Sequence, residues 1–165
     1  MKYYLKENFR FFYADGQLFD EDGNVAYEYE NTRLMFPQVC LFRHNDLVGS
    51  IQKRLTWFLS RYDIYHHDQY VDSIQQRFKV FENELDMESL GWTIMGDFFS
   101  WHYEIYNEYG DLIARADQEP FRWTQRFYIE IYDEDNEELI LLLIMAINQF
   151  DKDMQAAGAA AAAAH

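Results

Sequence analysis

Apolar and polar residues alternate with a period of two through much of this chain, and short polar clusters interrupt the alternation at regular intervals. In Phe127–Tyr132, Phe127, Ile129 and Ile131 share one face of an extended strand, while Tyr128, Glu130 and Tyr132 share the other. Residues 2–13 are rich in strand formers and run into a turn at Ala14–Gly16. From there a unit recurs: a short strand ending in an aromatic residue, a polar turn, and a return strand that opens with apolar residues. Its copies are Leu18–Phe19 with Val25–Tyr29, Val39–Phe42 with Leu47–Ile51, Tyr62–Tyr65 with Tyr70–Ile74, and Tyr103–Tyr106 with Leu112–Ala116. A less regular copy runs from Phe78–Phe81 through Glu82–Glu88 to Trp92–Met95.

The turn centres are roughly twenty-odd residues apart, too close for a crossover helix between parallel strands and suited to successive antiparallel hairpins. Pro37 and Pro120 fall between units, where a missing N–H costs no ladder bond. One strand at the amino terminus, five hairpins and a last single strand, Ile129–Tyr132, make about twelve strands. The sixth unit then departs from the rest. After Asp133–Asn136 its return segment is Leu139–Ile147, nine consecutive apolar residues that leave a helix no face for water.

A sheet of about twelve strands exposes two edges unless it closes, and a closed barrel of that size has a lumen wider than side chains fill. An α-helix ~10–12 Å across fills it. The predicted fold is therefore mainly β: a closed antiparallel barrel of about twelve strands around a central hydrophobic C-terminal helix, with Leu139, Leu142, Leu143, Ile144 and Ile147 in the core. The nine apolar residues rise only ~14 Å, against ~30 Å of bilayer hydrocarbon, so protein rather than lipid is the expected host and no transmembrane insertion is expected. Asp135 is the expected N-cap, with Glu138 at capping-box spacing. Residues 1–153 read as one domain; the Ala-rich stretch 154–165 reads as an artificial or unstructured tail.

Composition narrows the function. Twenty-nine acidic against 14 basic residues give a net charge of −15, which excludes diffuse binding to nucleic acid, because neutralising phosphates needs clustered Lys and Arg. A single cysteine, Cys40, rules out an internal disulfide and any cysteine-rich metal site. The reduced cysteine and an amino terminus without a signal-peptide core point to a cytoplasmic protein.

The hairpin meander closed by a wholly apolar helix resembles the LURP-one-related family, which belongs with the tubby-like and phospholipid-scramblase proteins. The resemblance is carried by Tyr62–Tyr65, Tyr103–Tyr106, Ile129–Tyr132, Trp92–Asp97, Leu112–Arg115 and Leu139–Ile147. It implies a twelve-stranded tubby-like barrel around a C-terminal helix and no enzymatic activity or cofactor, with lipid or phosphoinositide binding attributed to relatives. On that footing Lys53, Arg54, Arg77 and Lys79, with Arg61, are the basic residues that would meet a lipid head group. The acidic run Asp133, Asp135, Asn136 and Glu137 occupies the place where scramblases bind Ca²⁺, and it offers hard oxygen donors.

Other chemistry is sparse. Asp20–Asn24 carries acidic residues, yet acidic-Gly-Asn is also what a tight hairpin turn requires. His66 and His67 would point to opposite faces of a strand, so ligating one metal requires the turn to bend them together. Cys40 lies in an apolar strand as a small hydrophobe. The reading is a non-catalytic, soluble binding module whose ligand is unknown, a phospholipid or phosphoinositide head group or a protein. The alternatives are a scramblase-like membrane-associated protein and an enzyme using His66, His67 or Cys40 in a cleft at a barrel end.

Overall fold

The computed structural model describes residues 1–6, 15–32, 38–55, 60–75, 84–97, 100–118 and 126–163. They form twelve strands: β1 (Lys2–Lys6), β2 (Gly16–Phe19), β3 (Val25–Thr32), β4 (Gln38–Arg43), β5 (Asp46–Leu55), β6 (Ser60–His66), β7 (Gln69–Gln75), β8 (Glu84–Met87), β9 (Trp92–Asp97), β10 (His102–Tyr106), β11 (Leu112–Gln118) and β12 (Arg126–Ile131). A 3₁₀ turn, Glu134–Asn136, leads into one α-helix, α1 (Glu137–Ala163). Across the single sheet the order is β7-β6-β5-β4-β3-β2-β1-β12-β11-β10-β9-β8, with antiparallel pairing throughout. The chain meanders, and β1 pairs with β12 to join its beginning to its end: Tyr3 lies opposite Ile129 and Leu5 opposite Phe127.

The recurring aromatic marks a recurring distortion. Register slips by one residue between Leu18 and Phe19, Leu41 and Phe42, Ile64 and Tyr65, and Ile105 and Tyr106, so each bulge falls at the aromatic that ends the outgoing strand. The unmatched residue on each return strand is Ala26, Val48, Val71 or Ile113, all of which pack into or against the core. A bulge bends its strand and increases the local twist. Three in successive hairpins and a fourth at β10–β11, beyond the regular β8–β9 hairpin, curl the meander and bring the sheet round toward closure.

The turns follow from the residues in them. His44-Asn45 and His67-Asp68 are two-residue turns with φ of 52° and 70°, and 47° and 61°, the left-handed pairs that match the twist of a hairpin. Asp20–Asn24 and Asn107–Asp111 share a five-residue design in which the first side chain accepts backbone N–H bonds, Asp20 Oδ1 from Asp22 and Asn24, Asn107 Oδ1 from Tyr109 and Asp111. Gly23 and Gly110 take the positive φ. The acidic side chain of Asp20 is thus committed to its turn.

The barrel is nearly closed. Its edge strands β7 and β8 lie against each other, and no ladder joins them among the described residues. Asp72 spans the gap: its Oδ2 accepts the backbone N–H groups of Ser89 (2.8 Å) and Leu90 (3.2 Å) in the β8–β9 turn. The fourth hairpin is tighter than the sequence pattern predicts. Glu84–Met87, assigned there to the turn, is strand β8, and the turn narrows to Glu88–Gly91. Alternation explains it, with Met87 buried and Glu84 and Asp86 exposed. The segment Phe78–Phe81 lies outside the described residues.

α1 fills the interior, packing chiefly on β5, β6 and β7. Leu139 through Ile147, including Leu142, Leu143 and Ile144, are all buried. Asp135 is not the N-cap: it sits inside the 3₁₀ turn, and the preceding Asp133 uses Oδ2 to accept from Asn136 Nδ2 at 2.8 Å. The chain needs that extra turn to swing from β12 into the lumen, which delays the α-helix to Glu137. At the other end α1 continues to Ala163, through the stretch read from composition as a tail, as alanine's high helix propensity favours. Among the described residues no helix is long and apolar enough to cross a membrane.

Candidate functional site at the barrel end

Because the strands alternate in direction, the hairpin turns following β2, β4, β6, β8 and β10 all lie at one end of the barrel, and α1 enters from that same end after β12. Helix entry places two carboxylates, Glu137 and Glu138, in the first turn, where they complement the positive end of the helix dipole. The two then diverge. Glu137 is 6% exposed and turns inward, accepting a short hydrogen bond from the Tyr27 hydroxyl of β3. Burial, and then this carboxylate, push the Tyr27 and Tyr3 hydroxyls well above the ordinary tyrosine range. Tyr3 packs edge-on against Tyr27, and the Arg43 guanidinium lies 5.3 Å from the Tyr27 ring centroid.

Glu138 turns outward and gathers three cationic or basic side chains. Arg43 Nη1 is 3.6 Å from its Oε1, while His66 Nε2 and His67 Nε2 lie 3.2 and 3.4 Å from its Oε2. The two imidazoles sit face to face at 4.2 Å between centroids, tilted by 33°. The strand rule that separates neighbouring side chains does not apply, because only His66 belongs to β6. His67 is the first residue of the left-handed turn, and its φ of 47° carries its ring back over its neighbour. Their ligand atoms and a Glu138 oxygen all lie within 4.8 Å of one another.

The acidic run expected to hold Ca²⁺ is dispersed. Asp135 and Asn136 are exposed, Asp133 is tied to Asn136, and Glu137 faces the buried tyrosine cluster. Among the described residues their carboxylates do not converge.

At the far end of the barrel, Lys53 pairs closely with Asp153 of α1, and the Tyr62 hydroxyl donates to the same carboxylate. Arg54 on β5 stands opposite Arg61 on β6, and both guanidinium groups reach Asp63, Arg54 Nε at 3.4 Å from Oδ2. The expected basic group is thus partly assembled, with Arg61 as its cross-strand member, and each cation already has a carboxylate. Arg77 and Lys79 lie outside the described residues. Cys40 is buried on β4, where Gln38 Nε2 donates to Sγ at 3.3 Å and burial pushes the thiol above its usual range. It does not join the histidines. Asn148, the residue after the apolar run of α1, is buried, and its Oδ1 meets no donor among the described residues.

Sequence reasoning missed the participation of Tyr3, Tyr27, Arg43 and Glu138. One signal was present: antiparallel hairpins put every turn and the helix entry at the same end. Which turn meets the helix was not in the pattern.

A twelve-stranded antiparallel meander wrapped around its own C-terminal helix defines a plugged-barrel protein. The chain matches the LURP-one-related family model over residues 1–148 and belongs to that family. The X-ray structure of a protein from Arabidopsis thaliana is similar, with a TM-score of 0.54 at 8% identity over 89% of this chain and 91% of that one. At that identity the likeness speaks to the fold alone. No curated protein matches this chain.

Proposed function

We propose that this LURP-one-related protein is a non-catalytic binding module that meets its ligand on the outside of the barrel. The observation supporting this is the filled interior. Ile140 through Ile144 are 0% exposed, so the space that holds a ligand in other barrels of comparable size is taken by the chain's own helix. Ligand contact is left to the outer faces, the turns and the barrel ends.

The head group of a phospholipid or phosphoinositide is the ligand class we favour. Its support is the placement of Lys53, Arg54 and Arg61 on two adjacent strands, with Arg54 and Arg61 directly opposite. Like charges held opposite each other are costly, and Asp63 offsets that cost in the free protein. A phosphate would replace Asp63 as the shared anion. Such exchange of one anion for another gives weak binding that falls with salt.

Co-sedimentation with phosphatidylinositol-phosphate vesicles at low salt tests this. We expect pelleting that exceeds pelleting with phosphatidylcholine vesicles and drops in the Arg54→Ala, Arg61→Ala double variant. No pelleting at low salt would remove the lipid class and leave a protein ligand as the form of the proposal to pursue.

A further inference from the structure

We propose that His66, His67 and Glu138 form a binding site for one divalent transition-metal ion, of which Zn²⁺ suits the donors best. Two imidazole nitrogens and one carboxylate oxygen are a donor set for Zn²⁺ and its neighbours, whereas Ca²⁺ and Mg²⁺ select all-oxygen shells. The spacing agrees with the ion. Ligands held ~2.0–2.1 Å from Zn²⁺ in a tetrahedron stand roughly 3.3–3.4 Å apart. The two nitrogen-to-Oε2 separations, 3.2 and 3.4 Å, match that edge. The third edge, between the two imidazoles, is at most 4.8 Å. His67, in an exposed turn, closes it with a small side-chain rotation.

The surroundings add support. Arg43 Nη1 forms an ion pair at 3.6 Å with the other carboxylate oxygen, Oε1, while Oε2 is the oxygen that faces the histidines. The φ of 47° at His67 is an uncommon conformation for a non-glycine residue, and it is what turns two consecutive imidazoles to the same oxygen. The net charge of −15 draws cations toward the protein. Two rigid elements, the end of β6 and the first turn of α1, supply His66 and Glu138 from positions 72 residues apart in sequence. A bound ion would therefore tie the sheet to its plug. Three protein ligands leave a fourth position for water or for an oxygen of a ligand, and His67, 64% exposed, is the open side.

The test uses the untagged full chain and Zn²⁺ itself, with calorimetric titration and thermal unfolding as readouts. One equivalent of Zn²⁺ should bind and raise Tm, and Co²⁺ in its place should give the visible absorption of a tetrahedral site. His67→Ala, at an exposed turn position, should weaken Zn²⁺ binding at least tenfold, as should His66→Ala and Glu138→Gln. His44→Ala, His102→Ala and His165→Ala should bind as the parent does. The proposal is overturned if the parent shows no saturable Zn²⁺ site, if His67→Ala binds with unchanged affinity, or if Ca²⁺ competes on equal terms.

Discussion

Asp72 on β7 accepts the backbone N–H of Ser89 at 2.8 Å across the gap where the two edge strands of the barrel meet. The same carboxylate takes the N–H of Leu90 and, through Oδ1, that of Ser73. One 4%-exposed side chain therefore does locally what a hydrogen-bonded ladder does elsewhere in the sheet.

Asp72→Ala should destabilise the protein by about 2–3 kcal/mol, because it removes charge-assisted bonds and leaves N–H groups short of an acceptor. Urea unfolding measures the loss. Hydrogen exchange should localise it, with the Ser89 and Leu90 amides exchanging faster than in the parent. Unchanged exchange at those two amides would show that Asp72 does not hold the gap shut.

Gly49 should not tolerate alanine. A Cβ there would meet the Tyr65 carbonyl oxygen of the neighbouring strand and Leu142 Cδ1, 2.6 Å away on the helix. Backbone cannot yield as a side-chain tip does, so overpacking at this contact of sheet and plug should cost about 1–3 kcal/mol or more. Thermal unfolding of Gly49→Ala against the parent decides it, and an equal or higher Tm would contradict this packing.

Leu142 and Ile144 are fully buried inside the sheet. Replacing either with Asp puts an unpaired charge in the core, at a cost comparable to the ~5–15 kcal/mol that holds a domain folded. Each variant should lose cooperative unfolding and near-ultraviolet dichroism altogether. A folded Leu142→Asp or Ile144→Asp protein would mean that the helix does not live in the barrel.

Stability should fall in alkali. Burial pushes the Tyr29 hydroxyl up to about 12, with the nearby Asp15 charge adding to it, and pushes Tyr3, Tyr27 and Tyr103 above their ordinary value for the same first reason. Each raised value means the folded state holds its proton where the unfolded chain, near pH 10, releases it. The contribution is intact below about pH 10 and is lost as pH climbs through the folded values. Urea midpoints should be flat from neutrality to about pH 9 and fall steeply by about pH 11, and Tyr29→Phe should flatten part of that fall. A midpoint independent of pH across that range would refute the burial of these hydroxyls.

Much of the fold was readable because its information is local. The aromatic closing each outgoing strand, as at Phe19, Phe42, Tyr65 and Tyr106, set the hairpins in order, and the same residues turn out to sit at the bulges. The strand Glu84–Met87 was hidden because four residues with two exposed acids read equally well as a turn. The Asp135 cap failed because capping-box spacing says nothing about the extra turn needed to re-enter the barrel. The His66–His67 pair was visible as a pair, but its convergence depends on a φ sign that His-Asp does not dictate.

By itself, then, the sequence determined the alternation, the hairpin repeat and a nine-residue segment with no face for water, and these require a barrel with a plug. Such features follow from neighbouring residues, whose geometry is set by backbone sterics and burial. Tertiary structure alone decided that Glu138 meets His66 across 72 residues, that Arg43 takes its other oxygen, and that Asp72 reaches Ser89. Those contacts depend on curvature accumulated over four bulges and twelve strands. No single stretch of chain encodes that sum.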